Sequence, residues 1–419
     1  MMKGPKRIQV ILQIAVFLVL VVVLGGITAF RYADYKINDR AGEYNNNIEA
    51  LTEYETVTDE DNADKKNGGG AEPVARKKTG STLEAEVATT FFGKQEILDI
   101  NGEVRKELGQ YFMNDVYKLN NGHLTEMIDY RQDEELAKLA DNIASVKGFL
   151  DGQGIPMIFV MAPFSVSKYD PQLPPGVENY ANDNTDRFVA FLRERGVEVL
   201  DVRDTMYEDG IDHYDMFYRT DHHWTTAAGF YTYQKLEPWL AEHVNCVLDP
   251  RVGDLSNYTV QTWPEWHLGS YGQKTGIEFA EGADDFTLFI PNFDTQIEEF
   301  GIDGSGRLEE MFYHMEYLQE KDYGSRLTYD NVLGAGDLYG KICYNQLADN
   351  EVDMLLISNS FYRALYPYLI MQFRQVRYTH DATVEGLTPE NVQNYDVVVI
   401  VYEPTLLYDG CGAFKFTGY

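Results

Sequence analysis

Three residue types that together activate a nucleophile occur in two short segments of this chain. Asp221 and His223 lie in the segment Asp221-His222-His223-Trp224, and Ser360 follows an apolar run much later in the sequence. A serine hydroxyl becomes nucleophilic when a histidine takes its proton and a carboxylate orients that histidine. The pattern therefore predicts acyl-group chemistry, with Ser360 as nucleophile, His223 as general base and Asp221 as the orienting carboxylate.

The backbone around these residues decides whether they can meet. In extended backbone, residues two apart face the same side, so Asp221 is expected to hold one His223 nitrogen while His222 points away. A predicted helix begins at Thr225 or Thr226, which places the motif on the preceding loop.

Ser360 lies between a predicted strand at 354–357 and a predicted helix at 361–374. Free backbone N–H groups at the start of a helix can stabilise a developing oxyanion, and we expect those near Phe361 to do so. Ser358 is the alternative nucleophile, but its place inside the strand makes it less accessible.

Segments with helical spacing alternate with short apolar runs from about residue 130 onward. The helices are predicted at 134–150, 185–195 and 361–374, and the strands at 155–161, 197–202, 354–357, 376–379 and 397–402. This alternation predicts an α/β fold with a mostly parallel sheet covered by helices. Residues 254–340 are rich in glycine, aspartate and aromatic residues, and we interpret them as an inserted, loop-rich region.

The N-terminal region predicts a membrane anchor. Residues 8–30 form an uncharged run of 23 residues, long enough for one transmembrane helix. The basic residues within 1–7 predict a cytoplasmic tail, which places everything after the helix outside the cell membrane. A cleaved signal peptide is the alternative. Residues 31–89 are predicted to be a partly disordered extracytoplasmic stalk, and 90–419 the folded catalytic domain.

Charge and cysteine content narrow the possible partners. The chain of 419 residues has 67 acidic and 35 basic side chains, which gives a net charge of −32. Such a field repels phosphate polymers, so nucleic acid is excluded as an expected partner. Three cysteines, Cys246, Cys343 and Cys411, allow one disulfide at most and lack the spacing of a metal site.

Three segments together resemble the bacterial DHHW protein family. They are Asp221 to Trp224, Tyr329 to Gly334 (Tyr-Asp-Asn-Val-Leu-Gly) and Leu355 to Tyr362 (Leu-Leu-Ile-Ser-Asn-Ser-Phe-Tyr). That family is similar to the SGNH-hydrolase-like acetyltransferase domains of periplasmic alginate O-acetylation proteins. The resemblance implies the same roles for Ser360, His223 and Asp221. Because the serine comes last here, it also implies a circularly permuted motif order.

The sequence departs from the motif of the resembled domains just before the serine. Ser358 and Asn359 stand where those domains have Gly and Asp or Thr, so the usual oxyanion donor is not evident. The candidates for contact with the substrate or oxyanion are Phe361, Asn331, Asn345, Gly269, Ser270 and Trp224.

The resemblance implies a membrane-anchored O-acyltransferase that acetylates a cell-surface or exported polysaccharide without a cofactor. It also implies a membrane-bound O-acyltransferase partner that supplies the acyl group. A carbohydrate esterase and a catalytically inactive glycan-binding or scaffold protein are the alternatives. A metal-dependent hydrolase is a further one, with N and O ligands drawn from Asp212, His213, Asp215, Asp221, His222 and His223.

Overall fold

The computed structural model of the chain describes residues 94–301, 304–323, 328–334, 341–379 and 392–409. The strands are β1 (Phe112–Met113), β2 (Val116–Lys118), β3 (Leu124–Thr125), β4 (Met157–Met161), β5 (Glu198–Asp201), β6 (Tyr258–His267), β7 (Asp284–Pro291), β8 (Ile297–Glu299), β9 (Ser305–Gly306), β10 (Lys341–Asn345), β11 (Asp353–Ser358), β12 (Gln375–Thr379) and β13 (Val397–Tyr402). The α-helices are α1 (Lys94–Glu107), α2 (Asp133–Gln153), α3 (Ala181–Glu194), α4 (Val202–Glu208), α5 (Thr226–His243), α6 (Ser270–Thr275), α7 (Ile277–Ala280), α8 (Leu308–Met311), α9 (Thr328–Val332), α10 (Tyr362–Gln372) and α11 (Leu406–Asp409). All elements after α1 belong to one compact unit, Asp99–Tyr419.

The predicted N-terminal segments at 1–7, 8–30 and 31–89 lie outside the described residues. No helix within the described ranges combines the length and the apolar character that crossing a bilayer requires. Neither Cys246 nor Cys343 forms a disulfide bond with a described residue, and Cys411 lies outside the described residues.

Among the described residues, a central sheet of eight strands has the order β5-β4-β13-β11-β12-β10-β8-β9. The five strands from β5 to β12 are parallel to their neighbours. The last three, β10, β8 and β9, pair antiparallel at one edge. The mostly parallel sheet predicted from the sequence is therefore confirmed, and the five predicted strands correspond to β4, β5, β11, β12 and β13.

The parallel strands are apolar because both faces of the sheet are covered. Alternate residues of β13 face opposite cores: Val399 packs with the side chains of α5 and α10, and Ile400 packs with those of α2 and α3. All six residues of β13 are buried. The same alternation holds along β4 and β11. The sheet is therefore a rigid support for the loops at its carboxyl edge.

Local signals set the helix boundaries that lead into these strands. Gln132 and Glu135 form a capping box at the start of α2. After α2, Gly154 takes a left-handed conformation with φ of 75°, which stops the helix and turns the chain into β4. Asp201 caps α4 through the Arg203 N–H, directly at the end of β5.

The stretch 254–340 differs from the loop-rich insertion that we predicted. It contains a long hairpin, β6 paired with β7, and its strands β8 and β9 extend the central sheet. Several of its aromatic residues, among them Phe286, Phe289 and Phe312, are buried in the core. The stretch is therefore partly integral to the sheet, and it also contributes side chains to the site described next.

Candidate active site

Asp221, His223 and Ser360 come together in space. His223 Nε2 lies 2.7 Å from Ser360 Oγ, and His223 Nδ1 lies 3.0 Å from Asp221 Oδ1. Asp221 and His223 are buried, and Ser360 is half-buried. The order carboxylate, imidazole and hydroxyl is the geometry that transfers a proton away from a serine.

Two chain segments bring these residues together. Ser360 lies two residues after the carboxyl end of β11, and α10 begins two residues after Ser360. The histidine segment precedes α5, whose N-cap Thr225 accepts a hydrogen bond from the Ala228 N–H. Trp224 Nε1–H donates to the Phe361 carbonyl over 3.1 Å and so ties the two segments to each other. Trp224 is fully buried, so it positions the loop and does not face a substrate.

The loop that carries Asp221 is a bend and not the extended backbone that we predicted. His222 therefore does not point away: its Nδ1 lies 3.0 Å from Asp221 Oδ1 and 2.8 Å from Ser270 Oγ. His267, at the end of β6, places Nε2 3.0 Å from Asp221 Oδ2. Three imidazoles thus surround one carboxylate, and sequence reasoning identified only one of them as its partner.

The charges in this cluster set the protonation states. Burial raises the pKa of Asp221, but the imidazoles of His223 and His222 outweigh burial and hold that pKa well below 3.8. Burial lowers the pKa of His222, but the Asp221 charge raises it to about 9. Burial and the His222 charge lower the pKa of His223 from 6.5. His223 is accordingly neutral near pH 7 and can accept the Ser360 proton.

Aromatic rings fix the plane of the His223 imidazole. Tyr329, on α9, stacks on His223 with ring centroids 4.1 Å apart and planes inclined by 17°. The Tyr329 hydroxyl donates to the Ser360 carbonyl over 3.4 Å. Phe361 lies on the Ser360 side, its ring centroid 5.5 Å from that of His223. The His223 ring can therefore rotate little between its two hydrogen-bonding partners, Asp221 and Ser360.

Most of the predicted oxyanion donors have other partners. The Phe361 N–H donates to Asn359 Oδ1 over 3.3 Å, the Gly269 N–H to Thr220 Oγ1 over 2.8 Å, and the Ser270 N–H to Asp221 Oδ2 over 3.1 Å. Gly269 and Ser270 thus support Asp221 instead of an oxyanion. The close approach requires glycine at 269, because a Cβ there would lie within 3.0 Å of the Asp221 side chain.

The structure also corrects the prediction that two asparagines contact the substrate or oxyanion. Asn345 ends β10, and its amide donates to the Met371 carbonyl over 3.0 Å, so it serves the sheet edge. Asn331 lies on α9, and no hydrogen bond joins it to Ser360 among the described residues. Within the same residues, no hydrogen bond engages the Ser360 N–H, which leaves that group free to donate. Ser358 is fully buried and donates to the Asn359 carbonyl, so it is not exposed to a substrate.

Asn359 and Glu403 form a supporting pair that sequence reasoning missed. Asn359 Nδ2 donates to Glu403 Oε1 over 3.2 Å, while Asn359 Oδ1 holds the Phe361 N–H. Burial raises the pKa of Glu403 to about 7, against the opposing hydrogen bonds from Thr405. Glu403 is the first residue after β13, and an acidic residue at the end of a wholly apolar strand is the signal that could have revealed it.

The ligand set of the metal hypothesis does not assemble as predicted. Asp221, His222 and His223 have donor atoms within 4.8 Å of one another, which is close enough to hold an ion. The same atoms, however, hydrogen-bond each other, Ser270 and Ser360. His213 stacks instead on Phe217, with ring centroids 4.9 Å apart, and burial lowers its pKa to about 4.

Comparison with known families finds a related domain. A family model described as the SGNH hydrolase-like domain of the acetyltransferase AlgX matches residues 124–264. Residues 124–264 are thus similar to an SGNH hydrolase-like domain. The match includes the segment with Asp221 and His223, so the resemblance predicted from the motifs is confirmed. None of the curated proteins compared matches the sequence.

Solved structures share the fold of this SGNH-like domain. PatB1 of Bacillus cereus superposes with a TM-score of 0.57 at 19% identity, over 72% of this chain and 99% of that chain. The same protein with a sulfonyl adduct gives a TM-score of 0.57 at 19% identity, and the match covers 74% of this chain and 99% of that chain. A DHHW family protein from Eubacterium siraeum gives a TM-score of 0.51 at 18% identity, and the match covers 71% of this chain and 93% of that chain. At these identities the likeness establishes a common fold.

Proposed function

We propose that this SGNH-like domain is an O-acyltransferase that moves an acyl group, acetyl in the simplest case, from a donor onto a hydroxyl of a polysaccharide. The observation that carries the proposal is the 2.7 Å contact between His223 Nε2 and Ser360 Oγ, with Asp221 on the other imidazole nitrogen. The acetyltransferase family model that matches residues 124–264 supports the same reaction class.

In the first half-reaction, His223 takes the Ser360 proton as Oγ attacks the donor carbonyl. The Ser360 N–H donates to the oxyanion that forms, and His223 then returns the proton to the leaving group. In the second half-reaction, His223 removes a proton from the acceptor hydroxyl, which attacks the acyl-serine; the bond to Ser360 Oγ then breaks as His223 returns that proton to Oγ. Asp221 stabilises the imidazolium in both halves. If water replaces the acceptor, the same steps make the enzyme an esterase.

The location and the partner belong to the proposal as well. A transmembrane helix at residues 8–30 would hold the domain at the outer face of the cell membrane, next to exported glycans. Acetyl donors of the cytoplasm do not reach that face. By resemblance to alginate O-acetylation, a membrane-bound O-acyltransferase would therefore deliver the acyl group to Ser360.

Covalent labelling tests the reaction directly. The full-length protein is incubated with an activated acetyl ester, and any acetylated residue is mapped by mass spectrometry. We expect acetyl on Ser360, with labelling abolished in Ser360→Ala and lowered at least about 10³-fold in His223→Ala, because the hydroxyl then keeps its proton. Ser145→Ala, on the exposed face of α2, is the matched control and should label normally.

Adding an oligosaccharide then separates the two possible acceptors. Acetyl found on the sugar supports a transferase, whereas release to water alone makes the protein an esterase. If Ser360 stays unlabelled and no ester is consumed, the proposal is wrong and the inactive glycan-binding alternative gains support.

A further inference from the structure

The hairpin of β6 and β7 adjoins the candidate active site at one end. Its pairing register shifts between Trp263 and His267, so that His267 lies opposite Asp284. Glu265, within the shifted segment, has a left-handed φ of 51°, which is typical of a β-bulge. The bulge thus aligns Asp284 with His267, whose Nε2 lies 3.0 Å from Asp221 Oδ2.

The Asp284 carboxylate holds the turn that leads into Asp221. Asp284 Oδ1 accepts a hydrogen bond from the Arg219 N–H over 3.1 Å. Asp284 Oδ2 accepts one from the Thr220 N–H over 2.8 Å and a second from the Thr220 hydroxyl over 2.6 Å. One side chain from the hairpin therefore binds both of the N–H groups that directly precede Asp221.

The Arg219 side chain holds the hairpin in return. Its guanidinium donates to the Gly282 carbonyl over 3.0 Å and contacts the Ala280 carbonyl. Arg219 Nε also lies 3.9 Å from Asp284 Oδ1. The backbone before β7 and the backbone before Asp221 are thus each bound by a charged side chain from the other segment.

The Thr220 hydroxyl extends the effect of Asp284 to the far side of Asp221. While it donates to Asp284, it accepts the Gly269 N–H over 2.8 Å. The next N–H along the chain, that of Ser270, donates to Asp221 Oδ2 over 3.1 Å. Asp284 therefore supports both the segment that carries Asp221 and the segment that binds its second oxygen.

The burial of this contact shows what it can contribute. The Asp284 side chain is 11% exposed, and Thr220 is fully buried. Removing a carboxylate from water costs free energy that its hydrogen bonds largely offset, so a buried carboxylate adds little net stability. Its directed hydrogen bonds do fix one backbone conformation. That conformation keeps Asp221 Oδ1 3.0 Å from His223 Nδ1.

We propose that Asp284 is a positioning residue for acyl transfer, which places Asp221 against His223 by holding the turn at 219–220. This inference rests on the function proposed above, and it makes the β6–β7 hairpin part of the catalytic apparatus. Asp284 acts through the backbone, without touching the acyl group or its acceptor. The rate of proton removal from Ser360 therefore depends on a side chain two contacts away.

The kinetics of Ser360 acetylation separate positioning from stability. Full-length protein reacts with an activated acetyl ester, and the final extent of labelling counts the folded molecules while the rate constant describes each folded site. Asp284→Ala should lower the rate constant about 10²-fold, because a small displacement of Asp221 misorients His223. A normal rate constant with a reduced extent of labelling would mean that Asp284 only stabilises the fold, and would overturn the proposal.

Asp254→Ala is the matched control. Asp254 is exposed just before β6, at the opposite end of the hairpin, and likewise accepts a backbone N–H, that of Ser256, over 2.9 Å. Its removal should leave the rate constant unchanged. An equal loss of rate in Asp254→Ala and Asp284→Ala would show a general effect of the hairpin and would contradict the role of Asp284.

Substitutions at Thr220 give a second test that does not require Asp284→Ala to fold. Thr220→Ser keeps the hydroxyl and should keep the wild-type rate constant, whereas Thr220→Val lacks it and should lower the rate constant at least about tenfold. Equal rate constants would overturn the positioning role and leave the acyltransfer proposal standing. If wild-type Ser360 is never acetylated, the proposed function fails, and this inference fails with it.

Discussion

At the scale of single residues, the central group of the site is the Asp221 carboxylate, which several side chains contact at once. Asp221 accepts hydrogen bonds from His223, Ser270 and the backbone, and it also faces His222 and His267. A carboxylate so heavily partnered stays ionised, and its charge keeps His222 protonated. The protonated His222 in turn makes protonation of His223 harder. His222 therefore contributes to the lowered pKa of His223.

This arrangement predicts the pH dependence of acylation. His223 must be neutral to accept the Ser360 proton, and its pKa lies below 6.5, so the rate should rise with pH through a value below 6.5 and then level off. His222→Gln removes the charge that depresses this pKa, so the rise should move to higher pH. The measurement is the rate of Ser360 acetylation from pH 4 to 9 in wild type and variant.

His243→Gln, at the end of α5, serves as the matched control and should leave the pH profile unchanged. A profile that stays in place in His222→Gln would contradict the tuning role. A purely structural role for His222 would lower the rate at all pH values without moving the rise.

The sequence was sufficient to predict that Asp221, His223 and Ser360 lie together, because their residue types and positions at element boundaries limit what they can do. It was insufficient for His267, Tyr329 and the pair of Asn359 with Glu403. Those residues reach the site through the bend at Asp221, the ends of β6 and β13, and the placement of α9. These are tertiary contacts, which a local sequence pattern does not predict.

At the scale of elements, the packing of α5 against α10 holds the two halves of the site at a fixed distance. Gly229 on α5 faces the backbone of Ala364 on α10, and a Cβ at 229 would lie within 3.0 Å of the Ala364 carbonyl. The histidine segment leads directly into α5 and Ser360 leads directly into α10. The spacing of these two helices therefore also sets the distance between His223 and Ser360.

Gly229→Ala should therefore destabilise the domain by about 1–3 kcal/mol and lower the acetylation of Ser360. The free energy of unfolding from urea titration measures the first effect. Gly148→Ala, on the exposed face of α2 where a Cβ meets nothing within 4 Å, is the matched control. It should stabilise by about 0.5–1 kcal/mol, since alanine favours a helix. Equal effects of the two substitutions would contradict the close packing.

The parallel strands were predictable at this scale and the antiparallel edge was not. β4, β11 and β13 are continuous apolar runs because both faces are buried, which is a strong local signal. β8 and β9 are very short, and their residues carry no clear alternation. Their place beside β10 is set by pairing with distant residues, so the sequence suggested only loops there.

At the scale of the whole molecule, the dominant property is the excess of acidic side chains. The net charge of −32 is spread over a surface on which like charges repel one another in the compact state. The Debye length falls from about 30 Å at 0.01 M salt to about 8 Å at 0.15 M, so added salt screens this repulsion. We expect the midpoint of thermal unfolding to rise by about 2–4 °C between these conditions.

Sodium and potassium chloride should act alike in that measurement, because screening depends on ionic strength and not on the identity of the cation. A midpoint that falls with salt would mean that favourable ion pairs outweigh the repulsion between acidic groups.

The strand order carries a consequence for how the protein is made. β13 comes last among the strands along the described chain, yet it lies between β4 and β11, in the middle of the sheet. Until it inserts, β4 with β5 and β11 with its neighbours are two separate fragments with open edges, and such edges invite aggregation. Contacts this distant in sequence form slowly. During synthesis, the central sheet is therefore completed only after β13 has been made, and until then the open edges of β4 and β11 have to be kept from pairing with other chains.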